Sequence, residues 1–184
     1  GEGVQTFGKI IMWDTGANVG EVTGFAKKLT SADFRPNRPF KLAIGGDEMQ
    51  LGFFAGPPFK LAKQQRQHTS FINCVRFSPD GNLLVTVSTD KKTYVYTGKE
   101  CEPVTDLEEL FNKGSQQNHQ SGITGCEFVD NEVLLTCSTD KTLRLWDLKQ
   151  KQLLSTFQVR EKPTIGDQIL GIQTSKNHEQ YIGL

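Results

Sequence analysis

The chain has 184 residues, of which 36% are hydrophobic, and its 21 basic and 21 acidic residues leave a formal net charge of zero. This balance, without a long run of either sign, argues against binding to nucleic acid or to a membrane surface through charge. No apolar stretch approaches the roughly 18 residues of a membrane-spanning helix, so we expect no membrane insertion.

The first predicted elements are short β-strands. Residues 8–13 alternate loosely in hydrophobicity, and a second strand over 19–23 follows a turn at 15–18. Trp13 and Asp14 end this stretch, and a second Trp-Asp pair, Trp146-Asp147, ends a longer pattern over residues 119–147. The chain therefore opens with the end of a repeated unit.

A longer copy of the same unit extends from Gly24 to Phe54. Its turn is Gly46-Asp47-Glu48, and Phe54 occupies the aromatic position near its end. Two prolines within residues 35–39 cannot donate to a strand ladder, so this stretch is predicted to be a connection before a strand over 40–44.

The two best-defined copies run from His68 to Tyr96 and from His119 to Asp147. In the later copy, apolar residues alternate over residues 123–128, 133–137 and 143–146. That pattern predicts a three-stranded antiparallel meander. Equivalent residues of the two copies lie fifty positions apart, somewhat more than the roughly 40 to 45 of a standard WD repeat. The surplus is assigned to an insert over 102–118, with one helical turn predicted from Asp106 to Phe111 and capped by Asp106.

The opening His and the closing Trp146-Asp147 are the signature of a WD repeat, in which four strands form one blade of a β-propeller. We therefore predict an all-β fold, an incomplete WD-repeat β-propeller with about three full four-stranded blades and two partial ones. The predicted blade pieces are residues 1–23, 24–65, 66–105, 119–157 and 165–184. Because propellers typically have about four to eight blades, we expect the chain to be a piece of a longer protein.

Two sets of polar residues recur with the repeats. They are His119, Ser138 and Asp140 with Trp146, and His68, Ser88 and Asp90 with Tyr96. A hydrolase triad also uses Ser, His and Asp, but catalytic triads are not repeat features. We therefore predict that each set is a buried hydrogen-bond network within a blade, and that the chain is not an enzyme. The four cysteines form no CxxC pair, so we expect reduced thiols, a cytoplasmic location, no metal site and no cofactor.

Several runs of sequence go beyond a general WD repeat. They are WDTG at 13–16, RPFKLAIGGDEMQLGFFAGPPFK at 38–60, HTSFINCVRFSPDGN at 68–82 and IGDQILGI at 165–172. Together they closely resemble the actin-interacting protein 1 family, WD-repeat partners of cofilin. The resemblance covers essentially the whole chain. It implies two linked seven-bladed propellers that promote disassembly of actin filaments with cofilin/ADF, without catalytic chemistry. This chain would supply middle blades of the first propeller and act in the cytoplasm, at the cortical actin cytoskeleton.

The resemblance also implies a partner-binding surface of acidic and aromatic residues on one face of the first propeller. The acidic turn residue falls on Asp47 and the aromatic after the His-Thr pair falls on Phe71, for which packing between blades is the alternative. Leu61 stands where the family usually has an aromatic residue, and Gln5, with Glu2 nearby, where it has an acidic one. The predicted partners are filamentous actin and cofilin/ADF, with no nucleic acid. The alternative function is a general WD-repeat interaction scaffold or adaptor.

Overall fold

The computed structural model describes residues 6–106, 118–158, 169–174 and 181–183. These ranges form sixteen β-strands and contain no helix. In chain order the strands are β1 (Gly8–Ile11), β2 (Asn18–Val22), β3 (Leu29–Phe34), β4 (Lys41–Gly46), β5 (Leu51–Ala55), β6 (Lys60–Gln65), β7 (Ile72–Phe77), β8 (Leu83–Ser88), β9 (Thr93–Thr97), β10 (Pro103–Asp106), β11 (Ile123–Phe128), β12 (Val133–Ser138), β13 (Thr142–Asp147), β14 (Gln152–Gln158), β15 (Ile172–Thr174) and β16 (Tyr181–Gly183).

Twelve of these strands form three four-stranded antiparallel sheets, which we name blade I (β3–β6), blade II (β7–β10) and blade III (β11–β14). Two-stranded sheets, β1-β2 and β15-β16, precede and follow them along the chain. In each blade, strands consecutive in sequence are neighbours in the sheet, as in a propeller blade. The prediction of an all-β, incomplete WD-repeat propeller is confirmed.

Two predicted boundaries need correction. The strand β1 ends at Ile11, and the Trp13 side chain that was predicted to close it is 95% exposed. The predicted blade piece 66–105 and the predicted insert 102–118 overlap, and residues 103–106 form β10, the outer strand of blade II. Asp106 is paired with Tyr94 in this strand and is therefore no helix cap. The rest of the predicted helical turn lies outside the described residues.

The three blades are equivalent position by position. Each pairs a leucine on its second strand with a large aromatic on its third, and the pairs are Leu42 with Phe54, Leu84 with Tyr96 and Leu134 with Trp146. All six side chains are buried. Each turn between second and third strands also has one left-handed residue at the same place, and these are Met49, Lys91 and Lys141 with φ of 62°, 71° and 70°. The repeated pattern of the sequence therefore corresponds to a repeated backbone.

The hydrophobic core lies between neighbouring blades, and side-chain hydrogen bonds link their inner strands. Ser31 and Asp33 of β3 accept from the backbone N–H groups of Val75 (3.1 Å) and Phe77 (2.7 Å) of β7. Packing against the next blade thus fixes the position of each sheet. Because the strands are antiparallel, their connections alternate between two faces. The turn face carries the segments before β3, β7 and β11 and the turns between second and third strands, and the opposite face carries the remaining connections within each blade.

Candidate partner-binding face and its supporting network

A buried network centred on His119 lies beneath the turn face of blade III. His119 Nδ1 is 2.9 Å from Asp140 Oδ2, and Nε2 is 2.8 Å from the Thr136 hydroxyl. Trp146 Nε1–H donates to the same hydroxyl at 2.8 Å. Asp140 also accepts from the backbone N–H of Gln120 at 2.9 Å. The network therefore ties the segment before β11 to the turn between β12 and β13.

Blade II repeats this arrangement with one change. His68 Nδ1 is 2.9 Å from Asp90 Oδ2, and Nε2 is 2.8 Å from the Thr86 hydroxyl. Tyr96, which stands in the place of Trp146, donates its hydroxyl hydrogen to Gln67 Oε1 at 3.0 Å. The aromatic residue of blade II is thereby attached to the segment immediately before His68.

The hydroxyl that contacts each histidine belongs to Thr136 or Thr86, and the predicted Ser138 and Ser88 adjoin it through the N–H groups of Asp140 and Asp90. Ser138 Oγ donates to Gly122 O at 2.9 Å and accepts from the Asp140 N–H at 3.0 Å. Ser88 Oγ accepts from the Asp90 N–H at 3.1 Å. Each serine thus shapes the turn before its aspartate. Sequence reasoning missed the threonine, and the available signal was its position two residues before each Ser, on the same side of the strand.

The geometry does not match a hydrolase triad. His119 Nε2 contacts the hydroxyl of Thr136 and does not contact Ser138. Thr136 is fully buried. A nucleophile must be reachable by its substrate and must contact its base. The set holds the blade together, and its polar atoms are satisfied by one another.

Burial and hydrogen bonding set the charge states of the network. Burial lowers the pKa of His119, against the opposing effect of its hydrogen bond to Asp140. Burial alone would raise the pKa of Asp140, but hydrogen bonds from His119 and Thr142 hold it well below its ordinary value. The Asp90 pKa is lowered in the same way, with the hydrogen bond from His68 outweighing burial. At neutral pH, Asp140 and Asp90 are therefore carboxylates, and His119 is a neutral imidazole.

Asp47 and Phe71 lie on the turn face, in neighbouring blades. Asp47 is in the β4–β5 turn, where its N–H donates to Lys28 O at 2.9 Å, and Phe71 directly precedes β7. A Cβ added to Gly45 would come 2.5 Å from the Ile72 side chain, so the two segments lie side by side. Phe71 is 46% exposed, which favours a surface role over packing between blades.

Leu61, another predicted surface residue, is not part of this group. Leu61 lies on the outer strand β6, paired with Phe54, and is partly buried against the core shared with β1 and β2. Leu61 is the second residue of β6, at the end of the strand beside the β5–β6 connection, and is therefore at the other end of the strands from Asp47. Gln5 and Glu2 lie outside the described residues.

Sequence reasoning missed Met49, which extends the surface formed by Asp47 and Phe71. Met49 is two residues after Asp47 in the same turn and is 36% exposed. Its neighbour Glu48 is engaged, because Gln50 Nε2–H donates to it at 2.8 Å. The sequence signal that could have identified Met49 as a turn residue is its alignment with Lys91 and Lys141 in the equivalent turns of the other two blades. We name Asp47, Met49 and Phe71 the Asp47 patch, which combines a carboxylate with two exposed apolar side chains.

Among the described residues, no group of His, Cys, Asp and Glu side chains could hold a metal ion. The same ranges contain no helix of the length and hydrophobicity needed to cross a membrane. All four cysteines carry free thiols and are buried.

Comparison with known proteins gives a consistent result. The family described as "WD domain, G-beta repeat" matches residues 59–97 and 111–147. The chain is 41% identical over its whole length to WD repeat-containing protein 1 of Rattus norvegicus. It is 39% identical over 85% of its length to actin-interacting protein 1 of Drosophila melanogaster, and 43% identical over 70% to the 66 kDa stress protein of Physarum polycephalum. It spans 29%, 25% and 20% of these relatives. The matches confirm the family resemblance seen in the sequence.

Proposed function

Because the chain is a WD40-repeat protein homologous over its whole length to WD repeat-containing protein 1, we propose that it binds filamentous actin and works with cofilin/ADF to promote filament disassembly. The observation that carries this proposal is its similarity to a relative named actin-interacting protein 1 over 85% of the chain. The chain spans less than a third of the length of these relatives, so it would supply part of the binding surface.

The Asp47 patch is the part of the surface to which we assign this binding. Asp47 offers a carboxylate to a basic group, and Phe71 and Met49 offer exposed apolar area beside it. An aromatic anchor next to a charge is a common arrangement in protein interfaces, where a few residues supply most of the binding energy. The charge contributes mainly to specificity and to the rate of association.

The rigid blades beneath the patch support this role. The turn that carries Asp47 is held to Lys28 O, and the Phe71 carbonyl accepts from the Thr89 N–H at 3.1 Å. Loops fixed by a scaffold bind with less loss of conformational entropy. In this proposal the chain binds and does not catalyse, and it acts in the cytoplasm at the cortical actin cytoskeleton.

The test is sedimentation of actin filaments in the presence of cofilin, comparing the protein with its Asp47→Ala and Phe71→Ala variants. We expect each variant to leave more actin in the pellet, with about a tenfold loss of affinity for cofilin-decorated filaments if the residue is a hot spot. Lys99→Ala is the matched control, because Lys99 is exposed in a connection on the opposite face. Unchanged disassembly by both variants would remove the patch from the binding site.

A general WD-repeat scaffold would give a different outcome. Such a protein would recover other proteins in a pull-down and neither actin nor cofilin. Loss of actin binding in the Asp47→Ala variant, with its unfolding temperature unchanged, would separate the actin-binding function from that alternative.

A further inference from the structure

The opposite face of blade I contains a second candidate binding site. Arg38, Pro39 and Phe40 precede β4, and Gly56 and Pro57 follow β5. These five residues line a notch with a volume of about 540 Å³, which is within the ordinary range for a ligand site. We name it the Arg38 notch. It lies at the other end of the strands from the Asp47 patch.

The walls of the notch are held in place by a buried arginine. Arg35 Nε–H donates to Gly81 O at 2.7 Å, and its Nη1 donates to Asn37 O at 2.7 Å and to Pro39 O at 3.2 Å. The Asn37 side chain in turn donates to Asp80 O of blade II at 3.0 Å. Proline fixes its own φ, so Pro39 and Pro57 restrict the walls further. The notch is therefore preformed.

A single cation is presented over an aromatic ring at this site. The Arg38 guanidinium carbon lies 5.4 Å from the centroid of the Phe40 ring, and Phe40 is 37% exposed. Within the described part of the chain, no carboxylate lies within ion-pair distance of Arg38. Stacking orients a guanidinium while leaving its N–H groups free to donate to a carboxylate in a bidentate pair.

The charge around the notch is positive. None of its lining residues is acidic. Lys60 pairs in register with Ala55, immediately beside Gly56. Lys41 also pairs with Ala55, and its Nζ lies 5.5 Å from the centroid of the Phe53 ring. Asp80, an acid of the neighbouring blade on this face, is already engaged, because Ser78 Oγ–H donates to it at 2.6 Å and Asn82 Nδ2–H at 2.7 Å.

We propose that the Arg38 notch docks an acidic peptide segment of a partner protein, with one aromatic or aliphatic side chain of that segment seated against Phe40 and Pro57. The acidic residues of the segment pair with Arg38 and interact with the flanking lysines. A peptide fits better than a lipid headgroup or nucleic acid, because the walls are largely apolar and only one cation lies inside. The protein would then present two binding faces at opposite ends of blade I.

The test is fluorescence anisotropy with short labelled peptides. The probe is a peptide with one Phe between Asp and Glu residues, compared with one in which Lys replaces the acids and one in which Ala replaces the Phe. We expect the acidic peptide with Phe to bind best and its binding to weaken with added salt. Arg38→Glu and Phe40→Ala should each reduce affinity by about tenfold or more, as expected for a bidentate charged pair and for an aromatic anchor.

Two controls distinguish loss of the site from loss of the fold. Arg38→Glu changes an exposed residue, so its thermal unfolding should match that of the unmodified chain, and Phe71→Ala on the turn face should bind the peptide equally well. Equal binding of all three peptides, or unchanged binding by Arg38→Glu, would overturn the proposal. So would Arg38-dependent binding to vesicles containing phosphatidylinositol bisphosphate with no binding to the acidic peptide.

Discussion

Blade III holds the segment before its inner strand with a buried histidine–aspartate pair, whereas blade I places the apolar Phe25 there and holds the segment by hydrogen bonds to Gly24 O and Lys28 O. Four residues before the inner strand, blade III has His119 and blade I has Phe25. His119 contacts Thr136 in blade III, and the position of Thr136 is taken in blade I by Ile44, which lies in the same hydrophobic cluster as Phe25. Each of these four side chains is buried. The same position in the fold is therefore stabilised by two different kinds of interaction.

The difference between the two blades extends to the third strand of each sheet. Thr136 pairs in register with Arg144, and its equivalent Ile44 pairs with Gly52. A Cβ added to Gly52 would lie 2.5 Å from Cζ of Phe25. The phenyl ring thus uses the space that an ordinary side chain on β5 would fill. Gly52 is required here because a larger residue would displace Phe25.

The comparison indicates that the polar residues at these positions in blade III can be replaced by the apolar residues of blade I only as a group. Replacing a whole buried polar network by packed apolar groups is often nearly neutral, but removing one partner leaves a buried polar group unsatisfied. Blade I, which carries Asp47, contains no buried histidine and aspartate pair among its described residues. The turn that carries Asp47 and Met49 therefore lacks the titratable pair that supports the equivalent turns of blades II and III.

The largest effect is expected for Asp140→Ala in blade III. The substitution removes the acceptor for His119, for the Gln120 N–H and for the Thr142 N–H. Leaving the buried His119 without its partner, together with the loss of the two backbone hydrogen bonds, should lower the free energy of unfolding by about 3 kcal/mol in urea denaturation. The matched control is Glu48→Ala at the equivalent position of blade I, where we expect a loss below about 1 kcal/mol. Equal losses in the two blades would contradict the comparison.

A smaller effect is expected for Phe25→His, which introduces a polar ring into the apolar blade. Its Nε2 would face Ile44 and find no hydroxyl, so the free energy of unfolding should fall by about 2 kcal/mol. Adding Ile44→Thr should recover about 1 kcal/mol of this loss, measured as a double-mutant cycle. If the second substitution only adds to the destabilisation, the two blades are not equivalent at this position.

The smallest effect is expected from mild acid. Burial lowers the pKa of folded His119 below its ordinary value of 6.5. Below pH 6.5 the unfolded chain therefore binds a proton that the folded chain resists, and stability falls as the pH falls. The lowered Asp140 pKa adds a further loss only below about pH 3.8. Urea denaturation at pH 7 and pH 5 should show the loss, and it should be smaller in His119→Gln. An unchanged difference in that variant would assign the pH dependence to other groups.

The sequence predicted the strands of blade III almost to the residue because their apolar runs and the turn residues that end them are local features of the sequence. Residues 123–128 were predicted and observed as β11, and residues 133–137 differ from β12 by Ser138 alone. Prediction was poorer where a neighbouring sheet decides the outcome. Trp13 looked like Trp146 in sequence, but its sheet has only two strands in this structure and its ring is exposed.

The candidate surface was predicted only in part. Asp47 and Phe71 were identified from the family resemblance, and the structure places both on the turn face. Met49 was missed because a turn methionine has no distinctive pattern. The Arg38 notch was missed because its two walls are separated by β4 and β5 and meet only when the sheet forms.

The order of polar and apolar residues determined on its own that this chain forms repeated antiparallel sheets, because hydrophobic alternation and turn residues act over a few positions. The partners of the buried side chains were decided by the tertiary structure. Register selected Thr136 over Ser138 for His119, and close packing matched Phe25 with Gly52. These choices depend on distances across strands, which neighbouring residues along the chain do not specify.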